Sequence, residues 1–451
     1  MWSMQTFFPL LVIVLVVGTT LYILPHLERH PPTVEITLDS VYVGRRPFDV
    51  ALADTGKGLQ RVSIGLTGEH GIVTLLEKEY PAPTHADTIH MTLDPQTLQN
   101  MEGVAEIRVL AEDRSFWQLW HGNTTTVTKK AIIDVTPPRI EVRSREHYIY
   151  HGGAGLVIYT ASADAVRSGV QVGDYFFPGQ PGYFATPELY LAFFAYPYNV
   201  DPAENIVVFA QDAAGNAQEA RMGYRLKTVP YRASTLHISD AFIGRKIQPL
   251  LGGEAVPPLE PKEAFLHVNR DLRQVNDAAI QRLGAMSGQE LLWHGAFHQL
   301  TNSQVEANFA DARTYVYAGE VIDHQYHLGC DLAVTRHYPI EAANDGVVVF
   351  AGDLGIYGNT VIIDHGYGVH TLYGHMSAID INVGDKVQKK QLIGRTGETG
   401  LATGDHLHYG VYIYGVPVRP EEWWDEHWVN DNILRKIRQA AGEAAARTSQ
   451  W

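Results

Sequence analysis

A chain of 451 residues exceeds one ordinary hydrophobic core, and about three domains is the expectation from length. Its 45% hydrophobic and 19% charged residues describe a folded protein, and a formal charge of −15 with no strong basic stripe argues against a nucleic-acid partner. The single cysteine, Cys330, excludes an intrachain disulfide, so any extracytoplasmic domain must be held by its core.

A short tail, residues 1–6, precedes residues 7–25 (FFPLLVIVLVVGTTLYILP), which are uncharged and almost wholly apolar. As a helix this run spans roughly 28 Å, about one hydrocarbon thickness. No Ala-x-Ala-like cleavage site follows it, which favours an uncleaved transmembrane anchor over a signal peptide. No Lys or Arg precedes the run and Arg29 follows it, so flanking charge gives no support for an exported C-terminus. Residues 26–35 read as a Pro-containing stalk.

From residue 33 to 136, short alternating runs such as RVSIGL and EIRVLAED are broken by turn residues. Period-two runs at this spacing predict an antiparallel β-sandwich, closed by the ladder-breaking Thr136-Pro137-Pro138. Residues 137–226 repeat the character (GLVIYTAS, YLAFFAYPY, IVVFAQDAAGN). In both modules a strand runs into acidic and turn residues, which suggests two copies of one immunoglobulin-like unit acting as a spacer.

Residues 227–296 form a linker, punctuated by Gly252-Gly253 and Pro257-Pro258, and a helical segment over 263–290. Residues 297–420 return to β character. The closing segment 421–451 reads as an amphipathic helix whose Trp423, Trp424 and Trp428 serve packing. The predicted class is therefore mainly β, with an N-terminal membrane helix, two sandwich modules, a helical linker and a β-rich C-terminal domain.

Three histidine clusters lie in that domain: His327-Leu328-Gly329-Cys330-Asp331, Tyr373-Gly374-His375, and Gly404-Asp405-His406-Leu407-His408. In a strand, His406 and His408 share a face while Leu407 points to the core. His327 and Asp331 would be roughly 13 Å apart in a straight strand, too far for one metal, and Gly329 permits the bend that would bring them together. Two His and one carboxylate make a catalytic zinc set with a fourth position free for water. Cys330 reads as a small core residue. His324, His337, His365 and His370 read as surface or satisfied core residues.

The segments HLGCDLA, GNTVIIDHGYGVHTLYGHMS and VGDKVQKKQLIGRTGETGLATGDHLHYGVYIYGVPVRP resemble the catalytic domain of LytM/lysostaphin-type zinc metallopeptidases, a cell-wall endopeptidase family with a duplicated hybrid motif. The likeness covers residues 309–420 and holds all three motif blocks in family order. It implies His327, Asp331 and His408 as ligands of Zn2+, and His375 and His406 as the non-ligand catalytic pair. It also implies hydrolysis of peptide bonds in peptidoglycan, in a cross-link or a stem peptide, by metal-activated water. Cys330 departs from the family's aliphatic residue, and Arg313 follows its leading Phe-Gly-x-Arg run only loosely.

VGDKVQKKQLIG is also similar to lipoyl or biotinyl carrier domains, but the modified-Lys turn is missing. The remaining alternative is a catalytically silent LytM-like adaptor that binds wall or activates another hydrolase. Such relatives lose ligands, whereas all five positions are filled here. The expected setting is an inner membrane, single-pass, with the catalytic domain in the periplasm. Which bond is cut, and whether a regulatory protein partner exists, stay open.

Overall fold

The structure, a computed structural model, describes residues 4–23, 29–43, 47–69, 71–94, 98, 101–117, 122–252 and 259–448. Strands dominate, and the chain divides into two compact units. The first comprises 1–138 with 164–166 and 211–218; the second comprises 139–163, 167–210 and 219–451.

An N-terminal helix runs Met4–Ile23. Among the described residues no helix is long and apolar enough to cross a membrane. The expected anchor falls partly outside them, since Leu24, Pro25 and the side chains before Leu11 are not described. From Leu11 to Val17 the apolar side chains are exposed, as are Leu21 and Tyr22. Gly253, Pro257 and Pro258 of the expected linker also lie outside the described residues.

In the first unit two sheets face each other across one core. One is the antiparallel set Thr33–Thr37, Phe48–Ala53 and Ala86–Met91; the other is five-stranded and centred on Leu59–Gly68 and Gly103–Asp113. The alternation read from EIRVLAED is realised directly, with Ile107, Val109 and Ala111 inside and Glu106 and Arg108 outside. The strand ends on a clasp. The buried Asp113 Oδ1 accepts from the Asn123 N–H at 2.7 Å, and Oδ2 accepts from its Nδ2 at 2.8 Å. IVVFAQDAAGN ends the same way, Asp212 accepting from the N–H and Nδ2 of Asn216 at 2.8 Å each. The acidic residue shared by the two modules thus ties off a turn.

In the second unit the strand Ala154–Ala161 is buried on both faces between Ile140–Val142 and Leu189–Ala195. This sheet packs on the C-terminal segment. Phe193 meets Trp293 and Trp423, and Trp423 also meets Phe297 and Trp428. Beside them the Ala154 N–H donates to Glu422 Oε2 at 2.8 Å, a bond between residues 268 apart in sequence. A Cβ on Gly153 would fall 2.5 Å from Glu422 Oε1, so only glycine admits this approach.

Burial pushes the Glu422 carboxyl up to about 8, against the opposing Ala154 hydrogen bond. Its folded value lies above its ordinary one, so its contribution to stability is complete below about pH 4.5 and is lost as pH rises through about 8. Glu422→Gln keeps an acceptor and cannot ionise. Its melting temperature should therefore rise relative to the parent as pH goes from about 4.5 to about 8, by an amount worth several kcal/mol, and level off above. Thermal melts across that range check this, and a pH-independent difference would refute it.

The helical spacing over 263–290 is realised as Pro261–Leu266, a π turn His267–Leu272 and Arg273–Gly284. It stops where Gly284 meets Gly415, whose backbone N would lie 2.2 Å from a Cβ. The C-terminal segment is not one helix but Pro420–Trp424, Glu426–Val429, a π turn Asn430–Leu434 and Arg435–Thr448. The first break is at Asp425, which is extended and caps the next turn by accepting from the His427 N–H at 2.9 Å. Nor is the linker irregular throughout. Ala233–Ile238 adds a parallel strand to the hairpin Ala312–Tyr317/Glu320–Tyr326, and a helical stretch over 240–251 follows, capped by Ser239.

The region that carries the three histidine clusters is built on an eight-stranded sheet. Its central strand Leu407–Ile413 lies between Cys330–Ala333 and Val369–Gly374, antiparallel to both.

Candidate metal centre

Register builds the site. His408 pairs directly with Asp331 on one side and with Gly374 on the other, so His375 follows one residue beyond the pair. Leu407 is buried and His408 faces the opposite side, as period two requires. His327 lies before the strand Cys330–Ala333, and the chain between them leaves the ladder. That turn brings His327 Nε2 to 2.9 Å from Asp331 Oδ1. Gly329 is needed for a different reason than the bend. A Cβ there would lie 2.6 Å from the Tyr409 carbonyl and 2.7 Å from His408 Nε2.

Among the described residues His327, Asp331 and His408 form a group able to hold a metal ion, their ligand atoms lying within 4.8 Å of one another. His408 Nδ1 is 3.0 Å from both His327 Nε2 and Asp331 Oδ1. Bonds of about 2.0–2.2 Å to one tetrahedral ion set ligand atoms roughly 3.3 Å apart, so this triangle fits a single ion after small adjustment. The His327 ring is oriented by its Nδ1–H, which donates to the Asn308 carbonyl at 3.1 Å and turns the Nε2 lone pair inward. His408 Nε2 is buried with no hydrogen-bond partner among the described residues, leaving Nδ1 as the atom its surroundings address.

Burial opposes ionisation of Asp331. The charge of His327 and the hydrogen bonds of His327, His406 and His408 outweigh it and hold the carboxyl well below its ordinary range. Arg313 Nη2 donates to Asp331 Oδ2 at 3.2 Å, which leaves Oδ1 to the cluster. Sequence comparison with the family's Arg-containing run marked Arg313 only loosely; its partner is Asp331. Arg313→Gln should weaken metal affinity about 10–100-fold, the usual effect of losing an outer partner. Competition with a chromogenic chelator measures this, and an unchanged affinity would show that the bond does not orient Asp331.

His375 and His406 stand beside the cluster without joining it. Their rings are 4.9 Å apart, centroid to centroid, and His375 is 5.8 Å from His408. The backbone of His375 is left-handed (φ 62), a conformation uncommon outside glycine, and its N–H donates to the Tyr357 carbonyl at 2.7 Å. Its Nδ1–H donates to the Thr399 carbonyl at 2.8 Å, and that of His406 to the Gly404 carbonyl at 2.8 Å. His375 thus keeps an unprotonated Nε2, whereas His406 Nε2 faces Asp331 Oδ1 at 3.5 Å. Burial lowers His375 well below its ordinary value, with His406 and His408 adding to the effect. For His406 burial is outweighed by Asp331, 3.5 Å from its Nε2, and the ring is raised.

The other histidines stand apart from the cluster. His365 is buried between the Asp345 carbonyl and Thr371 Oγ1, and His370 sits against Asp364. His324 meets Thr314, and His337 meets Ser377. Cys330 is fully buried, and burial pushes its thiol up, away from nucleophilic use. The supporting carbonyls of Asn308, Thr399 and Gly404 had no sequence signal, since any residue supplies one. Tyr357, whose ring centroid is 5.3 Å from that of His408, sits in a Gly355-Ile356-Tyr357-Gly358 turn whose glycines were its only mark.

A β-sheet domain with two imidazoles and a carboxylate converging on one point, and two more imidazoles alongside, is the class the geometry defines. Residues 325–420 match peptidase family M23, and the C-terminal part of the chain carries a domain of that family. The DD-carboxypeptidase/endopeptidase Mpg of Neisseria meningitidis serogroup B is 47% identical over 94 residues, 21% of this chain and 22% of that protein. The peptidoglycan DD-endopeptidase ShyA of Vibrio cholerae is 29% identical over 221 residues, 48% of this chain and 46% of that protein. The chain thus spans less than half the length of these curated relatives. Among solved structures, the catalytic domain of lysostaphin from Staphylococcus simulans is 26% identical and covers 27% of this chain and 92% of that one, with a TM-score of 0.23.

Proposed function

We propose that this protein is a membrane-anchored zinc metalloendopeptidase that hydrolyses peptide bonds of bacterial peptidoglycan, with its catalytic unit in the periplasm. The observation that carries the reading is the convergence of His327 Nε2, Asp331 Oδ1 and His408 Nδ1, with His375 and His406 beside them. The names of the Neisseria and Vibrio relatives support the substrate class. The apolar N-terminal run supports attachment to an inner membrane. In each sandwich module a short parallel pair, Tyr42–Val43 with Ile132–Ile133 and His147–Tyr150 with Tyr224–Lys227, supports an immunoglobulin-like spacer.

His327, Asp331 and His408 would hold the zinc; two nitrogens and one carboxylate are a catalytic donor set, and no thiolate is at hand. Bound there, zinc supplies Lewis acidity towards the scissile carbonyl and a water acidified towards neutrality. The chain's own groups do the rest. His375 and His406 each hold Nδ1–H on a carbonyl and line the cavity. One takes the proton of the attacking water, and the other, once protonated, faces the oxyanion. Arg313 keeps Asp331 oriented throughout. A silent adaptor of the same fold has no observation in its favour, since all five positions are filled.

The test is digestion of purified peptidoglycan by the full chain in detergent, with and without a chelator, the fragments being weighed by mass spectrometry. Chelator-sensitive release of peptide fragments is expected, and their masses name the bond. Release that continues undiminished with the chelator would sink the metallopeptidase reading.

A further inference from the structure

His375 is held in part from outside the residues that match family M23. The helix Arg273–Gly284 precedes residues 325–420, yet two of its polar side chains end on the 3-10 turn Gly355–Tyr357. Asn276 is buried, and its Oδ1 accepts from the Ile356 N–H at 2.9 Å. Beside it Asp277 Oδ1 accepts from the Tyr357 hydroxyl at 3.3 Å. An N–H in the first residues of such a turn has no partner within it, and a buried one needs an acceptor from elsewhere. Gly355 makes room for that acceptor. Its φ is +54°, and a Cβ there would fall 2.6 Å from Asn276 Oδ1.

The turn passes this anchor on to His375 by two routes. Directly, the Tyr357 carbonyl accepts from the His375 N–H at 2.7 Å and so holds a residue whose backbone is left-handed. Indirectly, the Ile356 carbonyl accepts from the Leu401 N–H at 2.8 Å. Leu401 lies two residues after Thr399, whose carbonyl takes the His375 Nδ1–H at 2.8 Å. Backbone and ring of His375 thus hang from one turn, and Asn276 secures its far side. Phe265, Ile280 and Ile356 share an apolar cluster, so the helix stays docked without the Asn276 hydrogen bond. Asn276 therefore contributes direction, and the apolar contacts contribute adhesion.

We infer that Asn276, from the helix ahead of the peptidase domain, is a positioning residue for His375. It fixes the 355–357 turn and, through it, the place of the imidazole beside the metal cluster. The effect on rate rests on the peptidase reading proposed above. A proton-transfer group misplaced by about 1 Å loses on the order of 10²-fold in rate.

The test uses the full chain in detergent over a range of peptidoglycan concentrations. Asn276→Leu keeps nearly the same volume and removes the acceptor, whereas Asn276→Asp keeps Oδ1. Asn276→Leu should lower kcat by about 10–100-fold with KM and bound zinc unchanged, and Asn276→Asp should restore most of the rate. The same leucine placed in His375→Ala should cost little more, because its effect runs through an imidazole already lost. Apart from activity, amide hydrogen exchange over residues 372–376 should quicken in Asn276→Leu. Should that variant fail to fold, Gly355→Ala makes the same break from the side of the turn and should give the same kcat loss with zinc retained. An unchanged kcat, an unchanged exchange, equal losses in the leucine and aspartate variants, or a full further loss in His375→Ala would overturn this inference and leave the peptidase reading standing. No release by the parent chain would remove the peptidase reading and this inference with it.

Discussion

Replacing His327, Asp331 or His408 with alanine should abolish metal binding and peptidoglycan cleavage together. The three ligand atoms sit 2.9–3.0 Å apart, and each removal leaves two ligands that cannot close a tetrahedral set. Loss of the Lewis acid forfeits several kcal/mol of transition-state stabilisation, about 10³-fold or more in rate. Asp331→Ala should be the harshest for the surroundings, because it also strands the Arg313 guanidinium, 24% exposed, and removes the acceptor shared by three histidines. Metal content by mass spectrometry and cleavage rate on the same preparations check this. A variant that loses its metal yet keeps its rate would detach the cluster from catalysis.

The second large effect is the opposite pattern. His375→Ala and His406→Ala should retain the metal and lose turnover by about 10²–10⁴-fold, the range for a positioned proton-transfer group. Neither ring belongs to the ligand group, yet both line the same cavity. The deficit should fall on kcat more than on KM, as for groups acting in the transition state. His375→Ala also relieves a left-handed residue of its side chain without freeing its backbone, so the turn held by the Tyr357 carbonyl should persist. Full activity in His375→Ala would show that this imidazole moves no proton.

The spacing pointed to a divided metal site, and His327, Asp331 and His408 do come together; the separate roles of the five residues were implied by the family resemblance and not by spacing. His406 and His408, two apart in an extended segment, had to share a face, and the register then set Asp331 directly opposite His408. The His327–Asp331 pair needed a bend, which the structure supplies before the strand begins. Gly329 was read as a hinge, whereas its role is to let the His408 ring and the Tyr409 carbonyl come close. Packing density, not torsion, decides that position, and packing has no local signature.

What stayed hidden is what long-range contact decides. The 233–238 strand is mostly exposed, so no alternation announced it; the hairpin edge at Ala312–Tyr317 made it a strand. Glu422 and Trp423 read as part of an amphipathic helix. Their burial against Ala154 and Phe193 depends on residues more than two hundred positions away. The break at Asp425 was likewise invisible to a helical period, although an Asp ahead of a short helical turn is a common cap. The repeat of an acidic residue at two strand ends was visible, and its meaning, an Asp–Asn clasp, was not.

One metal ion held by His327, Asp331 and His408 is expected to drive peptide-bond cleavage in peptidoglycan. The most direct measurement is to strip the full chain with a chelator, add zinc back in known amounts, and follow peptide release from purified peptidoglycan at each step. Release should rise in proportion to zinc and level off at one ion per chain, and the Asp331→Ala protein should show neither the binding nor the rise. Release from the stripped protein without added metal, or a full rise in Asp331→Ala, would contradict the account.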